Sequence, residues 1–408
     1  MTTGHMALGL VRQRSLGTVV MSACKTTRMI SRTHVRTVFS HARMGVDPGM
    51  FLASEDDLQP DQSEFKERTR VAFTSSELKD TLIEDIHKFV TLSVTAADLG
   101  LAREMLASMA SDETSQDSDL FLTFISACSL LGQPAEAIRA WQDPRLSHVV
   151  KASLHGESEC YMATLVYMNM LLDCGMYDQL VDFFLEHEDH LEGHIKVTLL
   201  AVLACYKQGT EQALEQGIQI LSNFVEKRPI PREKDRRSRM KDKLVIAVAL
   251  HAYNLGDYSK AYSILERFGE EERFNSKVQK QQKRWGLLVQ SLMMMSLAKG
   301  GHIHEAIGVL ETFMPRKITM ITRDRKIHSK RIVMFVAVET VVIAAKNSDE
   351  ELLRKVMDIV GEIEKSANVY ELTHEEMLFR KMQRKGSDKL PNDSQHHIFH
   401  TDNRNLTH

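Results

Sequence analysis

The stretch 255-LGDYSKAYSILERF-268 decides how this chain is read. Tyr258, Ala261, Tyr262, Leu265 and Phe268 fall at positions i, i+3, i+4, i+7 and i+10, which lie on one face of an α-helix. The residues just before, 244-LVIAVALHAYNL-255, are apolar almost all round, the mark of a helix covered on several sides. Gly256 stands between the two, and glycine adopts the left-handed backbone that ends one helix and lets the next fold back. The stretch therefore predicts a helical hairpin: a buried helix A, a glycine turn and an amphipathic helix B.

The same outline recurs in 131-LGQPAEAIRAW-141, 174-CGMYDQLVDFF-184 and 300-GGHIHEAIGVL-310. Each is preceded by an apolar run: 120-LFLTFISACSLL-131, 161-YMATLVYMNMLL-172 and 287-LLVQSLMMMSLA-298. The turn glycines Gly132, Gly175, Gly256 and Gly301 are spaced by 43, 81 and 45 residues. The doubled interval holds a further hairpin, with 195-IKVTLLAVLACY-206 as helix A, a turn near Gly209 and helix B around 211–225. A weaker unit spans 78–93 and 99–109, and a last one pairs 332–346 with 349–365. A hairpin cannot bury its own A helix, so neighbours must stack and share it. Repetition at this period predicts an all-α fold, an α-solenoid of stacked helical hairpins over residues 77–370.

Bulk composition agrees. The 408 residues are 43% hydrophobic with only 8 Pro and 20 Gly, enough apolar mass for a large core and too little disorder-promoting composition for an unfolded chain. Aromatic residues make up 6%, and 22 Met suit helices packed by unbranched side chains. The five cysteines, at 24, 128, 160, 174 and 205, form no CxxC pair and no zinc spacing, and are expected as reduced, buried thiols. The longest apolar run, 332-IVMFVAVETVVIAA-345, contains Glu339 and is too short to span a bilayer, so it reads as a buried helix.

The ends are different material. Residues 1–46 carry Arg12, Arg14, Lys25, Arg28, Arg32, Arg36 and Arg43, many Ser and Thr, and no acidic side chain before Asp47. An Arg-rich, acid-free segment able to form a basic amphipathic helix has the chemistry of a mitochondrial transit peptide, drawn electrophoretically toward a negative matrix. Matrix localisation is the expectation, with cleavage near 36–45. Residues 47–76, rich in Asp and Glu, read as an acidic linker, with docking against the first hairpin as the alternative, and 371–408 as a short helix followed by a His- and Asn-rich tail.

The pattern Gly-x-(Tyr/polar)-x-x-Ala followed by apolar residues resembles the second half of a pentatricopeptide repeat. The order of the segments 64-EFKERTRVAF-73, 143-DPRLSHV-149, 166-VYMNMLLDCGMYDQLVDFF-184, 203-LACYKQGTEQAL-214 and 246-IAVALHAYNLGDYSKAYSIL-265 is similar to that in the mitochondrial pentatricopeptide-repeat proteins of animals. The resemblance covers roughly residues 60–385. It implies a non-catalytic protein that binds mitochondrial RNA and assists the maturation of mRNA precursors, with RNA-processing enzymes or the mitoribosome as further partners. Related repeat proteins serve as scaffolds on the small mitoribosomal subunit, which is the alternative. Members that read bases carry a polar residue ten positions before the turn glycine. Here those places hold Leu122, Leu165, Leu199, Ile246 and Ser291, and aliphatic side chains offer a base edge no donor or acceptor.

Charge offers another grip. The net charge of −3 conceals a division: residues 47–226 carry 31 acidic and 11 basic side chains, a balance of −20, and residues 227–331 carry 11 acidic and 24 basic, a balance of +13. Three basic runs, 227-KRPIPREKDRRSRMKDK-243, 277-KVQKQQKRW-285 and 316-RKITMITRDRKIHSKR-331, precede the A helices expected at 244, 287 and 332. Equivalent positions in stacked hairpins fall side by side, and such a track neutralises phosphates. The candidate RNA-binding residues are Arg232, Lys234, Arg236, Arg237, Arg239, Lys241 and Lys243 in the first run. The second contributes Lys277, Lys280, Lys283, Arg284 and Trp285, the indole being able to stack on a base. The third contributes Arg323, Arg325, Lys326, Lys330 and Arg331.

Catalytic chemistry finds little purchase. No P-loop, dinucleotide fingerprint or Gly-x-Ser-x-Gly is present. Carboxylates such as Asp56, Asp57 and Glu270–Glu272 have no strand-rich domain to gather them around a cation. His187, His190 and His194 have spacings that reach a metal from a helix, but 187-HEDH-190 is not the zincin arrangement. The expectation is a binding protein without cofactor or resident metal.

Overall fold

The structure is a computed structural model that describes residues 47–52, 55–74, 83–109, 115–155, 161–191, 194–227, 236–269, 283–313, 332–366, 368–370 and 373–379. The expected transit peptide and the His- and Asn-rich tail lie outside these residues. Among the described residues the fold is all-α: eighteen α-helices and one pair of three-residue strands. Seven pairs of helices form A–B hairpins. They are α2 (Ile83–Thr91) with α3 (Ala96–Met109), α4 (Ser115–Leu130) with α5 (Pro134–Gln142), and α7 (Tyr161–Asp173) with α8 (Tyr177–Glu186). Then come α10 (Ile195–Gln208) with α11 (Glu211–Lys227), α12 (Arg236–Asn254) with α13 (Tyr258–Gly269), α14 (Lys283–Lys299) with α15 (Ile303–Glu311), and α16 (Phe335–Ser348) with α17 (Glu350–Ser366). Four helices stand outside this pattern: α1 (Pro60–Thr74), α6 (Ser147–His155), α9 (Glu188–Leu191) and α18 (His374–Phe379).

The turns carry the repeat. Gly132, Gly175, Gly209, Gly256 and Gly301 have φ of 62°, 74°, 66°, 85° and 86°. At four of them the chain closes the same way: Gln133, Met176, Asp257 and His302 each donate a backbone N–H to the carbonyl five residues back, on Cys128, Leu171, Ala252 and Leu297, at 2.8–3.0 Å. This is the glycine-centred cap that satisfies carbonyls a helix end otherwise leaves bare. Asp257 then starts α13 by accepting the Lys260 N–H on its side chain at 2.9 Å.

Packing is sequential. Each A helix lies against the next, α2 on α4, α4 on α7, α7 on α10, α10 on α12, α12 on α14 and α14 on α16, and each B helix also touches the A helix that follows. The A helices are accordingly buried nearly all round: Ala163–Leu172 in α7, Val197–Tyr206 in α10 and Leu244–Ala252 in α12 are continuous buried runs. The B helices bury one face, such as Ala261, Ile264, Leu265 and Phe268 in α13. Tyr258 and Tyr262, expected on that face, are half-buried at its margins. Trp141 joins two hairpins, its ring 5.3 Å from Phe121, 4.9 Å from Tyr167 and 5.3 Å from Phe183 between centroids. Polar ties add to this across neighbours: Gln208 to Asp178 at 2.6 Å, Asn254 to the Tyr206 hydroxyl at 3.1 Å, and Lys260 to Glu215.

Three expectations are corrected. Residues 60–74 of the supposed acidic linker form α1, which is docked, with Phe65, Lys66 and Thr69 buried. Its anchor is Asp98, 1% exposed, which accepts Lys66 Nζ at 2.6 Å and Arg70 at 2.9 Å. Asp98 also caps α3, accepting the N–H of Thr95 at 3.2 Å while its own N–H reaches the Thr95 hydroxyl at 3.1 Å. Second, the apolar run at 332 opens as a strand: β1 (Ile332–Met334) pairs in parallel with β2 (Asn368–Tyr370), Val333 opposite Val369, and α16 starts only at Phe335. That helix is buried on one side, and Ile343 is 46% exposed. Third, Cys128 and Cys205 are buried thiols, but Cys174, at the glycine turn, is exposed.

Two outcomes test this account. Gly132→Ala and Gly256→Ala each lower stability by about 1–2 kcal/mol, the cost of a left-handed backbone for a residue with Cβ. Gly308→Ala, inside α15 with nothing within 4 Å of the added carbon, raises stability by up to about 1 kcal/mol in the same denaturant titration. Asp98→Asn, which leaves the Lys66 ammonium buried without its counter-charge, costs about 3 kcal/mol at neutral pH. Although burial opposes it, the bonds from Lys66 and Thr95 hold the Asp98 carboxyl below its ordinary value. Its contribution is therefore complete above the usual aspartate range and lost as pH falls through the lowered folded value, so the difference between variant and parent closes in acid.

Candidate nucleic-acid interface

The three basic runs divide on inspection. Arg232, Lys234, Lys277, Lys280, Arg323, Arg325, Lys326, Lys330 and Arg331 lie outside the described residues. Arg236, Arg237 and Arg239 sit in the first turns of α12, and Lys283, Arg284 and Trp285 in the first turn of α14. The backbone thus carries both groups at the heads of A helices that pack on one another, although their side chains are outside the described residues. Lys241 and Lys243, expected on the same open edge, are a correction: they are 5% and 6% exposed. By the second turn of α12 the side chains already point into the interior, where the Lys243 ammonium meets the Leu378 carbonyl at 3.4 Å.

What covers Lys243 is α18. Thr373 and Glu376 cap this short helix reciprocally: the Thr373 N–H donates to the Glu376 carboxylate at 2.7 Å, and the Glu376 N–H to the Thr373 hydroxyl at 3.1 Å. The helix packs on α12 and reaches both neighbouring A helices. Toward α14, buried His374 points its Nε2–H at the Leu288 carbonyl, 3.1 Å away. Toward α10, Glu375 pairs with Lys207 at 2.6 Å, and the Lys207 ammonium stands 4.3 Å above the Phe379 ring. Tyr206 lies beside that ring, 5.9 Å between centroids, and 6.0 Å from His251. Burial pushes the Tyr206 hydroxyl well above its normal value and holds His251 down to about 4.

The cluster of Lys207, Tyr206, His251, Glu375 and Phe379 has little trace in the sequence. The one local signal was 373-THEEMLF-379, a capping box leading into Met, Leu and Phe. Cation and aromatic residues that come from three separate helices left no linear motif.

The remaining candidates fall elsewhere. Of the base-reading positions, Leu165, Leu199, Ile246 and Ser291 are buried and Leu122 is half-buried, so they serve packing between A helices. His187 meets Phe183 edge-on at 4.8 Å, and His194 stacks on Tyr161 at 4.3 Å. Among the described residues, no group of three His, Cys, Asp or Glu is placed to hold a metal ion. Also among them, no helix is long and apolar enough to cross a membrane.

His374 supplies a pH test. Burial depresses its folded value to about 4, partly offset by the Leu288 carbonyl, against an ordinary value near 6.5. The unfolded or undocked segment therefore binds a proton that the docked one excludes, and docking weakens as pH falls from about 6.5 to 4. Protection of 374–379 against hydrogen exchange, taken relative to the intrinsic rate at each pH, should fall over that window and His374→Gln should flatten the response. Compared with models of known protein families and with curated proteins, the chain matches none.

Proposed function

We propose that the chain is an α-solenoid RNA-binding protein of the mitochondrial matrix, non-catalytic, that holds mRNA precursors during their maturation. The observation that carries this reading is the placement of charge: a balance of +13 over residues 227–331, in three runs that lead into three successive A helices, α12, α14 and α16. Those helices pack in order, and basic runs that precede neighbouring A helices would offer a phosphate chain a continuous track. The strictly sequential packing of seven hairpins supports the solenoid, and the acid-free Arg-rich segment 1–46 supports the address. The resemblance to pentatricopeptide-repeat proteins adds the substrate class. With aliphatic or buried residues at the base-reading positions, recognition rests on phosphates and stacking, and sequence preference is weak.

Replacing Arg236, Arg237 and Arg239 together by Glu should weaken retention of single-stranded RNA at least tenfold at low salt without changing the helical content. The slope of log affinity against log salt should fall by about 0.7 for each phosphate contact removed. Unchanged retention by a folded triple variant removes the basic track from the account. Cross-linking in organelles distinguishes the scaffold alternative: contacts confined to ribosomal RNA, with co-sedimentation on the small subunit, favour that reading.

A further inference from the structure

We infer that α18 is an internal occupant of a second RNA-binding surface, on the A helices α10 and α12, and that RNA must displace it to reach that surface. The inference rests on the RNA-binding reading above and adds to it a site and its control.

Three contacts of α18 are those a nucleotide would make. The Glu375 carboxylate offers Lys207 an anionic oxygen at 2.6 Å, as a phosphate does. The Leu378 carbonyl gives Lys243 a second oxygen acceptor at 3.4 Å. The Phe379 ring stands 4.3 Å from the Lys207 ammonium and 5.9 Å from the Tyr206 ring at a 41° tilt, an aromatic place between a cation and a ring that a base can take. Beneath the segment lie Lys207, Lys243 and Tyr206, with His251 6.0 Å from Tyr206 between ring centroids, a basic and aromatic floor.

The occupant is also built to leave. It is six residues long, too short to persist as a helix by itself. Its ion pair is half open to solvent, Lys207 at 21% and Glu375 at 46%, so salt and a competing polyanion both weaken it. Its anchor, however, stays: β2 is paired with β1 just before it, so the displaced segment remains tethered and can return. The closed segment lowers apparent RNA affinity by the fraction of time it leaves the floor open.

The test uses the full chain and a labelled single-stranded oligoribonucleotide of mixed sequence. Glu375→Ala with Phe379→Ala loosens the segment without touching the floor, and should tighten RNA binding by about tenfold. Asp358→Ala, which removes one exposed carboxylate from α17, should change it little and controls for net charge. In the unaltered protein, adding the RNA should speed hydrogen exchange at 374–379. Adding Lys207→Glu to the loosened variant should abolish the gain. Equal RNA affinity in parent and loosened variants, with exchange at 374–379 already faster in the latter, overturns the inference and leaves the basic track standing. Slower exchange at 374–379 on adding RNA does the same. No binding by either protein removes the RNA reading together with this one.

Discussion

An A helix that is apolar around its circumference cannot be dehydrated by the single B helix attached to it. That constraint organises the molecule. In α7 every residue from Ala163 to Leu172 is buried, which takes cover from α4, α6, α8 and α10 at once. Each hairpin is thus completed by the ones beside it, and the αL glycine turns make the arrangement possible by bringing each B helix back over its partner. The two ends of the row lack one neighbour, and they differ in chemistry. The first is finished by α1, held through Asp98 between two cations. The last keeps Ile343 and Met357 exposed on α16 and α17.

Much of this was legible in the sequence because the requirements are local. A positive φ is met best by glycine, so Gly132, Gly175, Gly209, Gly256 and Gly301 marked all five turns before any contact was known. The A helices announced themselves as unbroken apolar runs. Elements carried by tertiary partners were harder to see. The burial of α1 depends on Lys66 against Asp98, residues that a hydrophobic pattern assigns to solvent. Ile332 and Val333 read as the start of a helix, and only pairing with residues 368–370 makes them a strand. Lys243 looked like part of an open basic edge, because the segment that covers it lies 135 residues further on.

The candidate site divides along the same line. The basic runs ahead of α12, α14 and α16 are visible as composition, and the A helices that follow them pack in order. The floor beneath α18 has no such signature. Lys207 ends one A helix, Lys243 lies early in the next, and Tyr206 looks in sequence like the last apolar residue of a buried run. Their association is a product of helix-on-helix packing. The low dielectric of that packing makes the partners supplied by Glu375 and Leu378 matter.

The parallel pair β1–β2 has a mechanical meaning. It ties the chain just before α16 to the chain just after α17, so the terminal hairpin is closed into a ring by backbone hydrogen bonds. A row of repeats ordinarily frays from its ends, where each unit has only one neighbour. Here, tension on the C-terminal side passes through α18 and is then borne by the buckle at Asn368–Tyr370 before it reaches α17 and α16. A translocase or unfoldase pulling from that side would have to strip α18 and then open the buckle before it could unravel the terminal hairpin.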